Sequence, residues 1–263
     1  MAQDISASQA CPRGDGTRRT AVKAGVMALF GGLLAKSAAA AVPAGERTPS
    51  PSSGTDPDRT NDHLLDQFAV SQIIMRERHA RETHDSDAEA ACFHPEATVE
   101  VSWFSGTGAE FVEAGRKAAA RGRAANVAGT IFFDSMSPAA IWVKGDRAIA
   151  DTSCAVHAFA PLDGVEAHVT SYTRLLWRAQ RHHGEWLIAG LRGIYIRDTL
   201  EACNPAQVPV IDVQKLATFR PSYRHLSYLL SSGGGPPRND RAGIDRPDLV
   251  AALRAGERAW VEG

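Results

Sequence analysis

The sequence predicts an α+β domain in which helices cover one side of a curved antiparallel sheet, and three observations predict it. Gly145-Asp146, Asp163-Gly164 and His183-Gly184 divide residues 130–197 into four apolar-rich runs, the pattern of strands joined by short hairpin turns. Ahead of them, residues 63–82 carry Leu64, Leu65, Phe68, Val70, Ile73 and Ile74 at helical spacing. Thr107-Gly108-Ala109-Glu110 is a capping box, whose threonine and glutamate side chains satisfy free amides at the start of a helix.

In chain order, the first helix ends in a charged turn at residues 76–81 with Glu82 near its end. After Thr83-His84, residues 85–93 read as a second short helix, capped by Asp85 or Ser86 and closed by Pro95. Residues 97–104 alternate as a strand, with Val99, Val101 and Trp103 on one side and Thr98, Glu100 and Ser102 on the other. The third helix starts at the capping box and runs to about residue 125. Gly106-x-Gly108 is no dinucleotide fingerprint, because the third glycine is absent. The four hairpin strands follow as residues 130–144, 147–160, 166–182 and 185–197. Beyond them come a loop with Asn204-Pro205 and Pro209, an aromatic and basic patch at 220–228, and a glycine-proline hinge at 231–237. In that patch, Tyr223, His225 and Tyr228 pack against the domain or a second subunit, or lid a pocket. A final helix spans 247–261, with Pro247 in its first turn and Asp245 as its cap.

If each turn holds two residues, the facing pairs can be counted. The first turn sets Asp134 across from His157; the second sets His157 against Thr170 and Ala155 against Tyr172; the third sets Tyr172 against Tyr195 and Thr170 against Arg197. Asp134, His157, Thr170, Tyr172, Arg174, Tyr195 and Arg197 then share one side, which is either a solvent face or the wall of a polar pocket. The other side is mostly apolar: Ala148, Ala150, Cys154, Val156, Val169, Leu175, Trp177, Trp186, Ile188, Ile194 and Ile196. Pro138 cannot donate to a ladder, and a bulge there would slip the first register and separate Asp134 from His157.

The chain has 263 residues, 44% of them apolar, which suits one domain with appendages. A net charge of -1 gives no electrostatic case for nucleic acid or an anionic membrane as partner. The leader resembles a twin-arginine export signal: Thr17-Arg18-Arg19-Thr20 with Lys23, a short apolar run from Ala24, and small residues up to Ala44. Residues 1–45 are therefore expected to be removed on export to the periplasm or beyond, with no stable membrane insertion afterwards. Residues 46–61 read as a flexible linker, 62–200 as the domain, and 201–263 as a C-terminal extension with a terminal helix. Cys92 and Cys154 stand at apolar positions and read as buried free thiols; no spacing fits a zinc site.

Phe93-His94-Pro95-Glu96-Ala97, Glu110-Phe111-Val112, Gly145-Asp146-Arg147-Ala148 and the stretch from Gly184 to Leu191, in that order, resemble the SnoaL-like branch of the NTF2-like superfamily, and within it scytalone dehydratase-like members, across residues 64–197. The resemblance implies a cone: a curved antiparallel sheet with three N-terminal helices enclosing a pocket, in enzymes that mostly need no cofactor. It also implies a catalytic histidine at His157, a second functional side chain at Asp134, a carboxylate at Glu82, and polar residues at Tyr172 and Arg174. Asp134 stands where such members have a histidine and Glu82 where they have an aspartate; Val101 and Arg81 fall near their catalytic tyrosines.

That set supports proton abstraction. A carboxylate facing an imidazole fixes its tautomer and raises its basicity, and a guanidinium with a phenol holds a developing oxyanion. The expected catalytic residues are His157 as base, Asp134 as its orienter and Glu82 as accessory acid. Tyr172, Arg174, Tyr195, Arg197 and Trp103 are expected to bind substrate, with no metal and no cofactor. The implied activity is that of a lyase, by elimination or retro-aldol cleavage, on a hydroxylated aromatic or polyketide-like small molecule. An isomerase or cyclase, a non-catalytic ligand binder, and a homo-oligomer formed through the polar sheet face are the alternatives.

Overall fold

The computed structural model describes residues 57–124, 131–233 and 238–263. The leader at 1–45 and the linker as far as residue 56 lie outside them. Helix α1 (Pro57–Glu82) begins inside the stretch read as linker. It buries Val70, Ile73 and Ile74 and continues that face with Glu77 and Arg78, whereas Leu64, Leu65 and Phe68 remain exposed. Asp85 caps α2 (Ser86–Ala91), its carboxylate accepting from the Ala88 amide at 3.0 Å.

Phe93, expected to end that helix, instead opens strand β1 (Phe93–Glu100). Pro95 sits where the pairing of β1 is interrupted, as a residue without an N–H must. β2 (Ser105–Thr107) folds back on β1, and the capping box opens α3 (Gly108–Ala124): the Glu110 amide donates to Thr107 Oγ1 at 3.2 Å, and the Thr107 amide to Glu110 Oε2 at 2.8 Å.

The first predicted hairpin strand is broken into β3 (Ile131–Met136) and β4 (Ala140–Lys144); β5 (Arg147–Leu162), β6 (Val165–His182) and β7 (Glu185–Ala202) are long. Asp163, Gly164, His183 and Gly184 all have positive φ, the requirement of the hairpin turn whose twist matches the strands. The order in the sheet is β2-β1-β7-β6-β5-β3, with β4 also on β5. β5, β6 and β7 form an antiparallel meander, while β1 runs parallel to β7.

After β7 come α4 (Val213–Ala217) and α5 (Arg224–Ser232), then β8 (Ala242–Gly243), parallel to β7, and α6 (Pro247–Glu262). The cap of α6 is Arg246 rather than Asp245, which accepts from Arg220 and Ser222 instead. Among the described residues no helix is long and apolar enough to cross a membrane.

The main core lies between the inner face of the sheet and the N-terminal helices: Val70, Ile74, Val99, Phe111, Leu175, Trp177 and Ile188, with the free thiols of Cys92 and Cys154 buried among them. Tyr223, Leu226 and Leu229 of the C-terminal extension pack on Ala158 and Val169 at the other end of that face. α6 lies on the outer face, with Leu249, Val250 and Leu253 against Leu176 and Ile194.

Extra residues decide which side chains face inward. Between the pairs Met136–Cys154 and Ala140–Asp151, the edge strands hold residues 137–139 where β5 holds only 152 and 153. Pro138 lies in this bulge, and past it the register slips by one. Phe133 stands across from His157, and Asp134 pairs with Val156. In β7 the pairing steps over Ala189 and again over Ile196. Tyr195 consequently pairs with Thr173 instead of Tyr172, and Thr170 with Thr199 instead of Arg197. Each one-residue slip moves the following side chains to the opposite face. The second turn has no bulge, and its pairs His157–Thr170 and Ala155–Tyr172 are as counted.

Candidate functional site

The inner face, α1 to α3 and α5 enclose a cavity of about 760 Å³. Its polar side includes Arg78, Arg81 and Glu82 from α1, His84 just after it, Ser86 and Glu89 from α2, Arg116 from α3, Asp134 from β3 and Tyr195 from β7. Trp103, Phe111, Leu175, Leu191, Leu226 and Leu230 form the apolar side.

At its floor one cation serves two carboxylates. Arg78 Nε and Nη2 donate to the two oxygens of Glu77, each at 2.5 Å, and Nη1 donates to Asp134 Oδ2 at 2.8 Å. Glu77 has no exposed surface, and the Asp134 side chain is 9% exposed. Burial alone would lower the Arg78 pKa, but the nearby negative charges of Glu77 and Asp134 more than offset it and raise it above the ordinary arginine value. Asp134 Oδ1 makes no hydrogen bond to a described residue. The Asp134 amide donates to Glu82 Oε1 at 2.8 Å, which ties the exposed end of α1 to β3.

Arg81 Nη1 donates to Glu89 Oε1 at 2.8 Å, and its guanidinium lies 4.1 Å from the ring centre of Phe111. Burial and the neighbouring Arg78 charge lower the Arg81 pKa, and burial raises that of Glu89. The hydroxyl of buried Tyr195 accepts from the Ser102 amide at 2.6 Å. Burial pushes this phenol up to about 12, so it remains protonated near neutral pH with its O–H available to donate.

α5 completes the wall with Leu226 and Leu230. It is fixed to β7 by buried Asp198, which accepts from the Leu226 amide at 2.8 Å and lies 2.9 Å from His225 Nδ1. Of the two arrangements expected for the patch around Tyr223, it packs against its own domain, and it also walls the cavity.

Four of the eight expected site residues, Asp134, Glu82, Tyr195 and Trp103, meet in this cavity. His157, Tyr172, Arg174 and Arg197 do not: they stay on the outer face, and the bulges carry Asp134 and Tyr195 away from them to the inner face. His157 stacks on Phe133 with ring centres 4.5 Å apart, and its Nδ1 lies 3.0 Å from His168 Nε2. Arg174 donates to Asp151 and Ser153, and Tyr172 and Arg197 are exposed. Asp134 therefore does not orient His157, and His157 cannot act as the base in this cavity.

Arg78 and Glu89 were not singled out as site residues from the sequence, and Arg81 only as standing near a tyrosine position of the resembled family. The available signal was spacing: Arg78 and Arg81 prolong the apolar stripe of Val70 and Ile74, and charges on a buried helical face need buried partners. Among the described residues no group of three or more His, Cys, Asp or Glu side chains is placed to hold a metal ion.

Residues 62–192 match the SnoaL-like domain. A PEP2-like protein of Fusarium vanettenii is 22% identical over 230 residues, which covers 84% of this chain and 95% of that protein. Pea pathogenicity protein 2 of the same organism is 25% identical over 170 residues, covering 62% of this chain and 70% of that protein. Among solved structures, a putative scytalone dehydratase of Novosphingobium aromaticivorans is 16% identical with a TM-score of 0.42, covering 57% of this chain and 99% of that one. A hexachlorocyclohexane dehydrochlorinase of Novosphingobium barchaimii is 14% identical with a TM-score of 0.43, covering 58% and 98%. With helices ahead of a curved sheet and a cavity between them, the chain carries a SnoaL-like domain through residues 62–192.

Proposed function

We propose that the cavity binds a small, largely apolar, hydroxylated molecule, and that Asp134 removes a proton from it in a cofactor-independent elimination of the dehydratase type. One observation carries this reading. Asp134 is a carboxylate on the polar side of a cavity whose other side is apolar, with one oxygen held by Arg78 and the other without a partner among the described residues.

The chemistry follows from that geometry. Asp134 Oδ1 takes a proton from a carbon next to an electron-withdrawing group, and the C–H electron pair becomes the new double bond. The hydroxyl on the adjacent carbon leaves as water with the proton of Tyr195. Water returns the proton from Asp134 to Tyr195 and completes the cycle. Arg78 holds the carboxylate in position, so little reorganisation accompanies the transfer. A hydroxylated aromatic or polyketide-like molecule suits a cavity of about 760 Å³ with this lining.

The test is incubation with a panel of hydroxylated aromatics and cyclic β-hydroxyketones, followed by mass detection of water loss. Turnover by the wild type that falls by about 10²–10⁴-fold in Asp134→Asn supports the assignment. Ligands bound and recovered unchanged would make the protein a binder instead.

A further inference from the structure

The two guanidiniums of the cavity are not equivalent. Arg78 gives all three of its nitrogens to Glu77 and Asp134, which leaves only the second N–H of each Nη and a charge already matched by two carboxylates. Arg81 gives a single nitrogen, Nη1, to Glu89, and its Nε and Nη2 make no hydrogen bond to a described residue. Its plane is held by Phe111 at 4.1 Å and Trp103 at 5.3 Å, while the residue lines the cavity. A guanidinium held in this way loses little freedom when its remaining edge donates to an oxygen.

Building on the reading of the cavity as the substrate chamber, we propose that Arg81 anchors the carbonyl oxygen of a neutral ketone substrate. The charge balance selects a carbonyl over a carboxylate. Asp134, Glu82 and Glu89 on the lining, with Glu77 buried behind Arg78, outnumber Arg78 and Arg81, and the third arginine on the lining, Arg116, is exposed and engaged by Glu113. A carboxylate ligand would enter against that excess of negative charge. A carbonyl enters neutral and gains charge only as its α proton passes to Asp134, when its oxygen becomes an enolate beside Arg81. Return of the enolate electron pair restores the C=O, forms the C=C and expels the β-hydroxyl as water with the Tyr195 proton. Arg81 thus stabilises the charge on the carbonyl, the electron-withdrawing group that the elimination requires.

Three probes of similar shape test this by equilibrium binding: β-tetralone, its hydrocarbon counterpart tetralin, and naphthoate. Wild type should bind β-tetralone about tenfold more tightly than tetralin, the effect of one hydrogen bond to a charged group. Arg81→Met should erase that preference and leave tetralin affinity unchanged. Glu89→Gln leaves Arg81 without its counter-charge and should shift preference toward naphthoate by about tenfold; this arm holds even if Arg81→Met folds poorly. A ketone preference that survives Arg81→Met, or a wild type that prefers naphthoate, would overturn the role of Arg81 while leaving the cavity as a ligand site. If none of the probes binds, the reading of the cavity as a substrate chamber fails first, and the role of Arg81 falls with it.

Discussion

Arg78→Met should be among the most damaging single changes to this fold. The arginine is 10% exposed and Glu77 not at all, so water screens neither charge effectively. Removing one partner of a buried ion pair costs about 3–5 kcal/mol, because the other charge remains buried and unpaired. Here Glu77 and Asp134 both lose their only described cation, and the contact of Arg78 with the Trp177 ring at 5.2 Å is lost as well. Small domains have about 5–15 kcal/mol of stability in total, so the variant keeps only part of it. At about 2–4 °C per kcal/mol for a unit of this size, the melting temperature should fall by roughly 6–20 °C. Urea titration of wild type, Arg78→Met and the double variant Glu77→Gln with Arg78→Met provides the assay. The double variant no longer buries the Glu77 charge and should recover a substantial share of the loss. A loss below about 1 kcal/mol in Arg78→Met, the range of solvent-screened pairs, would refute the reasoning; so would a double variant as unstable as the single one.

Three other outcomes are expected. Asp198→Ala deprives the Leu226 amide of its acceptor and should cost about 1–3 kcal/mol; amide exchange should speed up in α5 more than in α3, and equal protection would show that Asp198 does not hold the helix. Burial and His168 lower the His157 pKa, so in the acid range the unfolded chain binds a proton at this site more readily than the folded one. The associated stability is present above the ordinary histidine range and is lost as pH falls through the lower folded value; His157→Gln should remove that part of the acid-side decline in urea midpoint, and an unchanged profile would contradict the assignment. Lysine at both Arg18 and Arg19 should block export of the chain, and undiminished export would remove the twin-arginine reading.

The sequence determines this fold most visibly where a local rule leaves one solution. Asp163-Gly164 and His183-Gly184 admit the left-handed turns that close the long hairpins, and Thr107 with Glu110 satisfies the amides that open α3. The pairing of β5 with β6 follows directly from its turn. Counting failed where the sheet bulges. Pro138 carried a visible signal, whereas Ala189 and Ile196 carried none, because a bulge there depends on how the sheet curves around its core rather than on the residue itself. One slip at Pro138 is enough to turn Asp134 inward and part it from His157, whose place on the outer face follows from the unbroken pairing of β5 with β6. Arg78 and Arg81 were hidden for a different reason: a charged helix end is normally solvated, and only the buried Glu77 and Glu89 make an inward orientation affordable. The contribution of Leu226 and Leu230 depended on where the extension folds back, which no pattern in residues 201–263 specifies.

The proposed assignment makes Asp134, and not His157, the proton acceptor of the cavity, and exchange of the α hydrogens of β-tetralone in deuterated buffer reads this most directly. Wild type should catalyse the exchange, Asp134→Asn should slow it by about 10²–10⁴-fold, and His157→Ala should leave the rate unchanged. Exchange that survives Asp134→Asn and disappears in His157→Ala would contradict the assignment.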